Sequence, residues 1–197
     1  MSRKNRIRLD YNAPLVLTFA LLSLLSLGAG YLTNFQSTEM FFMTYRSSLL
    51  NPLTYLRLFT HALGHADWNH YISNMSYILM LGPMMEEKYG SRKLLYMMLI
   101  TAGVTGIANT ILFPRVALCG ASGIVFMFIV LSSITSTEKG EIPLTLILIL
   151  VIYLGGEIYD AIYASDNVSQ LAHIIGGCFG AYFGFRFLKE NPDPRTY

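Results

Sequence analysis

Six long apolar runs, separated by short clusters of charge, constrain this chain more than any other feature of it. A helix that crosses the hydrocarbon core of a bilayer needs about 20 mostly apolar residues. The runs fall at about 13–32, 70–85, 94–114, 120–137, 142–159 and 169–188. Charged residues make up only 13% of the chain, against about 25% in an average soluble domain. The pattern predicts an all-α membrane protein, a bundle of six transmembrane helices. Its basic start and apolar run make the first stretch resemble a signal peptide. No small-residue cleavage pattern follows it, however, and five more runs do.

Basic residues orient the bundle, because loops rich in Lys and Arg stay on the cytoplasmic side. Arg3, Lys4, Arg6 and Arg8 precede the first run, and Lys88, Arg92 and Lys93 lie between the second and third. Lys139 lies between the fourth and fifth, and Arg186, Lys189 and Arg195 close the chain. Eleven of the 14 basic residues thus fall on one side, with only Arg46, Arg57 and Arg115 on the other. The organisation expected is a cytoplasmic segment over 1–12, a membrane domain over 13–188 and a cytoplasmic tail over 189–197, as in a plasma-membrane protein. The outer loop at 33–69 is rich in aromatics and methionine and suits a segment lying partly in the interface. A second outer loop is expected at 160–168. No basic face suited to nucleic acid is present. Cys119 and Cys178 are too few and too dissimilar in context for a disulfide framework.

Polar groups inside spans are costly and point to function. His70 and Asn74 stand in the first turns of the second run, Ser122 at the start of the fourth and His173 one turn into the sixth. With the predicted orientation, all four sit at one shallow depth below the outer surface. A serine hydroxyl attacks a carbonyl only when a base takes its proton, and His173 can be that base if the fourth and sixth helices touch. Gly176, Gly180 and Gly184 recur every four residues and permit such close approach. Gly123 relieves crowding around the serine. The developing oxyanion needs donors. The Ser122 N–H at a helix start, the Asn74 amide and a ring N–H of His70 can supply them. Glu157 and Asp160 are candidate orienters of the histidine, but both fall near the outer end of the fifth run. The reading is a Ser–His dyad. A small transporter would instead distribute polar groups along a path, often at mid-depth.

The motifs that carry these residues resemble those of the rhomboid intramembrane serine proteases, from about Arg57 to Gly184. They are Phe59-Thr60-His61-Ala62-Leu63-Gly64-His65 followed by His70 and Asn74, then Glu86-Glu87-Lys88-Tyr89-Gly90-Ser91-Arg92-Lys93-Leu94, Gly120-Ala121-Ser122-Gly123, and Ala172-His173-Ile174-Ile175-Gly176 continuing to Gly180. The resemblance implies Ser122 as nucleophile, His173 as general base, and His70, Asn74 and Gly120 at the oxyanion and substrate site. It implies substrates that are transmembrane helices in the lipid bilayer, cut near the outer boundary, and no metal or organic cofactor. A rhomboid-like pseudoprotease that only binds membrane helices is expected to lack Ser122 or His173, and both are present. Two positions depart from the family pattern. Leu56-Arg57 stands where bacterial members often carry Trp-Arg. Phe126 replaces a common tyrosine that packs on the histidine, keeping the ring face and losing the hydroxyl.

Overall fold

The computed structural model describes residues 11–135, 141–163 and 170–188. Most of these residues are helical, and their one β pairing is the isolated bridge between Thr44 and Leu118. The first long helix, α1 (Pro14–Leu32), opens on proline, whose missing N–H costs nothing at that position. Ala13 before it offers no side-chain cap. The cap comes from 70 residues away instead. The Glu86 carboxylate accepts from the N–H groups of Leu15 and Val16 at 2.9 and 3.0 Å. A negative charge at a helix start also gains from the helix dipole. The Ser91 hydroxyl donates to the same carboxylate at 2.6 Å. This one side chain therefore ties the start of α1 to the end of α4 (Trp68–Tyr89) and the start of α5 (Ser91–Leu112).

The segment between α1 and α4 is more structured than an interfacial loop. It holds α2 (Gln36–Phe41), α3 (Pro52–Thr60) and a 3-10 turn at His61–Leu63. Arg57 anchors it from inside. Its guanidinium is 3% exposed, lies 4.3 Å from the Tyr45 ring centroid, and donates to Leu53 O at 3.1 Å, to Ser47 Oγ at 2.9 Å and to the Tyr45 hydroxyl. Leu56 beside it is 46% exposed, so of this pair only the arginine anchors the segment, together with Thr54, whose hydroxyl donates to Ser48 O at 2.7 Å. Thr44 then pairs with Leu118 through two backbone bonds of 2.9 Å, which fastens this segment to the chain just before Ser122.

The core is built around α6 (Ser122–Thr135), in which eleven of fourteen residues are buried. Its main partner is α8 (Gln170–Leu188). A Cβ on Gly176 would collide with the Gly123 carbonyl, one on Gly180 would lie 2.5 Å from Met127 O, and one on Gly184 2.9 Å from Ile134 Cδ1. The glycine ridge expected from the spacing is therefore the contact surface, with the backbones of α6 and α8 touching. Because the contacts advance together along both chains, α6 and α8 run parallel. At the far end the Lys88 ammonium donates to Thr135 O, and the Tyr89 and Thr135 hydroxyls lie 2.9 Å apart. The end of α6 is thus held to the end of α4.

Two helix boundaries differ from the expected runs outside the first loop. Helix α4 continues to Tyr89 and α5 begins at Ser91, so Lys88, Arg92 and Lys93, expected between runs, lie on the two helices with only Gly90 between them. Helix α7 extends over Leu144–Tyr163, so positions 160–163, expected in a loop, continue the helix. The rest of that loop, Lys139 and both chain termini lie outside the described residues. Among the described residues, two helices are long and apolar enough for a membrane span by length and composition. They are Pro14–Leu32, with a mean hydropathy of 2.0, and Ser91–Leu112, with 1.6.

The packing predicts a sharp contrast between neighbouring glycines. Gly176→Ala forces α6 and α8 apart and lowers stability by about 1–3 kcal/mol. Gly177→Ala meets only Val130 Cγ2, at 3.7 Å, and is neutral or slightly stabilising. Thermal unfolding of the two variants in detergent checks this, and equal midpoints would remove the close-contact argument.

Candidate active site

The parallel register of α6 and α8 sets the geometry of the site. Ser122 opens α6, one residue before Gly123. A Cβ on Gly123 would lie 3.2 Å from Ala172 O and 3.5 Å from Thr105 Oγ1. His173 follows Ala172 directly. Ser122 and His173 therefore stand on abutting backbones at the same end of the bundle, and both are half-buried. The Phe126 ring, one turn along α6 from Ser122, stacks on the His173 imidazole with centroids 4.3 Å apart and planes 5° from parallel. The ring face expected from the sequence thus lies against the imidazole.

Helix α4 brings the polar groups of a third wall. The Asp67 side chain caps it by accepting from His70 N–H at 2.8 Å, which fixes the turn carrying His70. Ala66 N–H lies 3.5 Å from His70 Nδ1. Asn74 is buried and donates through Nδ2 to His70 O at 3.1 Å, leaving its second amide hydrogen for another acceptor. Both side chains converge on Gly120. That residue has φ +120°, and a Cβ there would lie 2.5 Å from His70 Nε2 and 3.7 Å from Asn74 Nδ2. Only glycine suits this position, for its backbone angle and for the space above it. Gly120 N–H donates to His61 O at 2.9 Å, which holds the turn before Ser122.

His61 and His65, both in the Phe59–His65 motif, are structural neighbours of the site with no chemical role expected from residue type. His61 Nε2 lies 3.1 Å from Ala102 O, so its carbonyl and ring connect Gly120 to α5. His65 is fully buried and packs edge-on against His70 at 5.0 Å and Tyr71 at 5.4 Å. Burial holds the pKa of both His61 and His65 at about 4, and the neighbouring His70 adds to the effect at His65. Cys119 is a free thiol that burial pushes up to about 11, a packing group and not a nucleophile. Glu157 and Asp160 lie on α7, and their side chains fall outside the described residues. Among the described residues, no group of three or more His, Cys, Asp or Glu side chains is placed to hold a metal.

Comparison with known proteins identifies the family. The profile of the Rhomboid domain matches residues 52–190. The chain belongs to the rhomboid family. Similar proteins include the Rhomboid-related protein 1 of Caenorhabditis elegans, 30% identical over 144 residues, which are 66% of this chain and 39% of that protein. The chloroplastic Rhomboid-like protein 11 of Arabidopsis thaliana is 28% identical over 59% of this chain and 46% of its own length. This chain thus spans less than half of either. The rhomboid protease GlpG of Haemophilus influenzae is 25% identical over 77% of this chain and 79% of its own length. Rhomboid homologues are integral membrane proteins, and the matched residues include every side chain of the site described above.

The buried histidines give the protein an acid limit. Both are neutral in the folded state and titrate near 4, whereas in an unfolded chain they titrate near 6.5. Between these values the unfolded chain binds the extra protons, so stability falls as pH drops from 6.5 towards 4 and levels off below. Each histidine contributes at most roughly 3 kcal/mol to that loss. Thermal midpoints measured across this range should fall accordingly, and His65→Phe should flatten the slope. A slope unchanged by that substitution would show that other groups set it.

Proposed function

We propose that this protein is an intramembrane serine endopeptidase that cuts transmembrane helices near the outer membrane boundary. The observation that carries the reading is the parallel contact of α6 with α8, which puts Ser122 and the Phe126-stacked His173 at one end of the bundle. Ser122 Oγ attacks the scissile carbonyl while His173 takes its proton. His173 then protonates the leaving amine, and water releases the acyl-enzyme. Stacking on Phe126 limits rotation of the imidazole, the task a third side chain performs in a triad.

The oxyanion would find three donors. The first is the N–H of Ser122 at the start of α6, unpaired within the helix and aided by its dipole. The second is the remaining amide hydrogen of Asn74. The third is His70 Nε2–H, the tautomer favoured when Nδ1 faces the Ala66 N–H.

Six spans, cytoplasmic termini and a site open to the outer face complete the reading, supported by the asymmetry of basic residues. Substrate would enter past α7. That helix packs through Leu146, Ile149 and Leu150, whereas a Cβ on Gly155 or Gly156, towards the site end, would meet nothing within 4 Å. A substrate helix must unwind to expose its peptide bond, so segments with Gly, Pro or polar residues are favoured.

The test is a fluorophosphonate probe combined with cleavage of a transmembrane substrate in liposomes. Wild type should be labelled and active. Ser122→Ala should lose both properties, and His173→Ala should lower cleavage by about 10⁴-fold or more. Labelling that persists in Ser122→Ala would dismiss Ser122 as the nucleophile. In the same assay Asn74→Ala should lower kcat by about 10²-fold with little change in KM. An equal rise in KM at constant kcat would assign Asn74 to ground-state binding.

A further inference from the structure

Where the end of α1 meets the start of α4, at the Ser122 end of the bundle, two large rings lie side by side at the surface. Tyr31, in the last turn of α1, and Trp68, the first residue of α4, stack with centroids 6.2 Å apart and planes 20° from parallel. They are 45% and 48% exposed. The pair is braced from both sides. The Phe35 ring meets Tyr31 edge-on at 5.0 Å, and the chain turns sharply to put it there. Asn34 and Phe35 have φ of 50° and 63°, a left-handed conformation that is uncommon for a bulky residue, and Phe35 N–H donates to Gly30 O at 2.6 Å. On the other side Tyr71 meets Trp68 edge-on at 6.0 Å, and its hydroxyl donates to Ala20 O at 3.2 Å. The rings of Tyr71, His65 and His70 then follow in contact, at 5.4 and 5.0 Å. The pair is thereby joined to the His70 wall of the site.

Two features show what this surface meets. The first is polarity. Among the described residues, neither the Tyr31 hydroxyl nor the Trp68 indole N–H has a hydrogen-bond partner in the protein, whereas the Tyr55 and Tyr71 hydroxyls do. A half-exposed ring with a free polar tip fits surroundings that are apolar at one end and wet at the other. The surface around the pair changes in the same sense. Beyond it, Leu32 aside, the exposed residues are Thr33, Asn34, Gln36 and Asp67. Below it, Leu24, Ile72 and Leu79 are exposed, and the helical repeat puts them on the faces that carry the pair. The second feature is length. From Trp68 to Lys88, α4 runs for about 30 Å, the thickness of a hydrocarbon core. Tryptophan at one end and lysine and tyrosine at the other are the residue types that hold a span at its two boundaries. A protein partner would explain neither the change of polarity across the pair nor the match in length.

We infer that the Tyr31–Trp68 pair is an interfacial anchor. Its rings sit in the carbonyl and headgroup layer of the lipid bilayer at the Ser122 end and fix the depth of that end of the bundle. A change in bilayer thickness is then taken up elsewhere along the helices. His70 and Asn74 follow Trp68 on α4 by about 3 and 9 Å, so the anchor places both just inside the hydrocarbon boundary. The anchor itself does not depend on the proposed peptidase activity. The depth at which a peptide bond is cut does, and rests on that reading.

Trp68 is the one tryptophan of the chain, so its fluorescence reports the anchor alone. The full chain is reconstituted into vesicles of dimyristoleoyl, dioleoyl or dierucoyl phosphatidylcholine, whose hydrocarbon thickness increases in that order. Each is mixed with phosphatidylcholine brominated either close to the carbonyls or close to the chain end. Bromine near the carbonyls should quench Trp68 severalfold more strongly than bromine at the chain end. The depth of Trp68 below the carbonyls should be the same in all three lipids. Tyr31→Leu removes the stacked partner and its hydroxyl and should make that depth change with bilayer thickness, with circular dichroism and the thermal midpoint establishing that the variant is folded. The wild-type measurement decides the placement without the variant. Weak quenching by both brominated lipids would show the surface to be covered by protein, a second copy or a partner, and would overturn the proposal. So would strongest quenching from the chain end, a wild-type depth that increases with bilayer thickness, or a depth that stays fixed in folded Tyr31→Leu. No reading involves peptide hydrolysis, so failure of the anchor and failure of Ser122 as nucleophile are separate results.

Discussion

The contact between α6 and α8 is the constraint on which the rest of the structure depends. Membrane helices gain no hydrophobic energy from touching each other, so close association rests on packing and small residues. Here Gly123, Gly176 and Gly180 let two backbones meet at distances that a single methyl group would prevent. The contact sets the register of α8 on α6. That register carries His173 to the start of α6, where Phe126 stacks upon it. A ridge that slipped by one turn would still bury apolar surface but would strand the histidine.

The third wall depends on a different kind of fixation. His70 and Asn74 reach Gly120 because Asp67 caps α4, His61 O holds the Gly120 N–H and Thr44 pairs with Leu118. Each is a backbone or cap bond, and each comes from the segment between α1 and α4 or from its junction with α4. Arg57 in turn holds that segment from inside. A site assembled on three helices thus relies on a loop that contributes no group to the chemistry, and this explains why that loop is capped, internally bonded and anchored through a few buried polar side chains.

Much of this was legible in the sequence, for identifiable reasons. Long apolar runs mark membrane helices because their length is set by the bilayer. Glycines four apart mark a contact face because the helix repeat is fixed. Costly polar residues in such runs stand out by chemistry alone, which singled out Ser122, His173, His70 and Asn74. Interactions between distant residues were not legible. Nothing local reveals that Glu86 caps α1 across 70 positions, or that Arg57 finds Tyr45 and Ser47. The α2 and α3 helices were missed because their stability comes from partners beyond their own short sequences. His61 and His65 were passed over because their part is to support Gly120 and His70, a role with no signature in residue type.

The parallel arrangement also accounts for the different chemistry of the two ends. Glycine contacts make α6 and α8 parallel. α4 runs with them, since His70 and Asn74 at its start face Gly120 while Gly82 further along meets Phe128 of α6. Three helix N-termini therefore gather at one end, where unpaired N–H groups and positive dipole ends collect. That end suits a developing negative charge, and it is the end that holds Ser122. Three C-termini gather at the other, where carbonyls need donors. Lys88 meets this need for α6 by donating to Thr135 O. A donor-rich end at Ser122 and an acceptor-rich end at Thr135 are two consequences of a single packing choice.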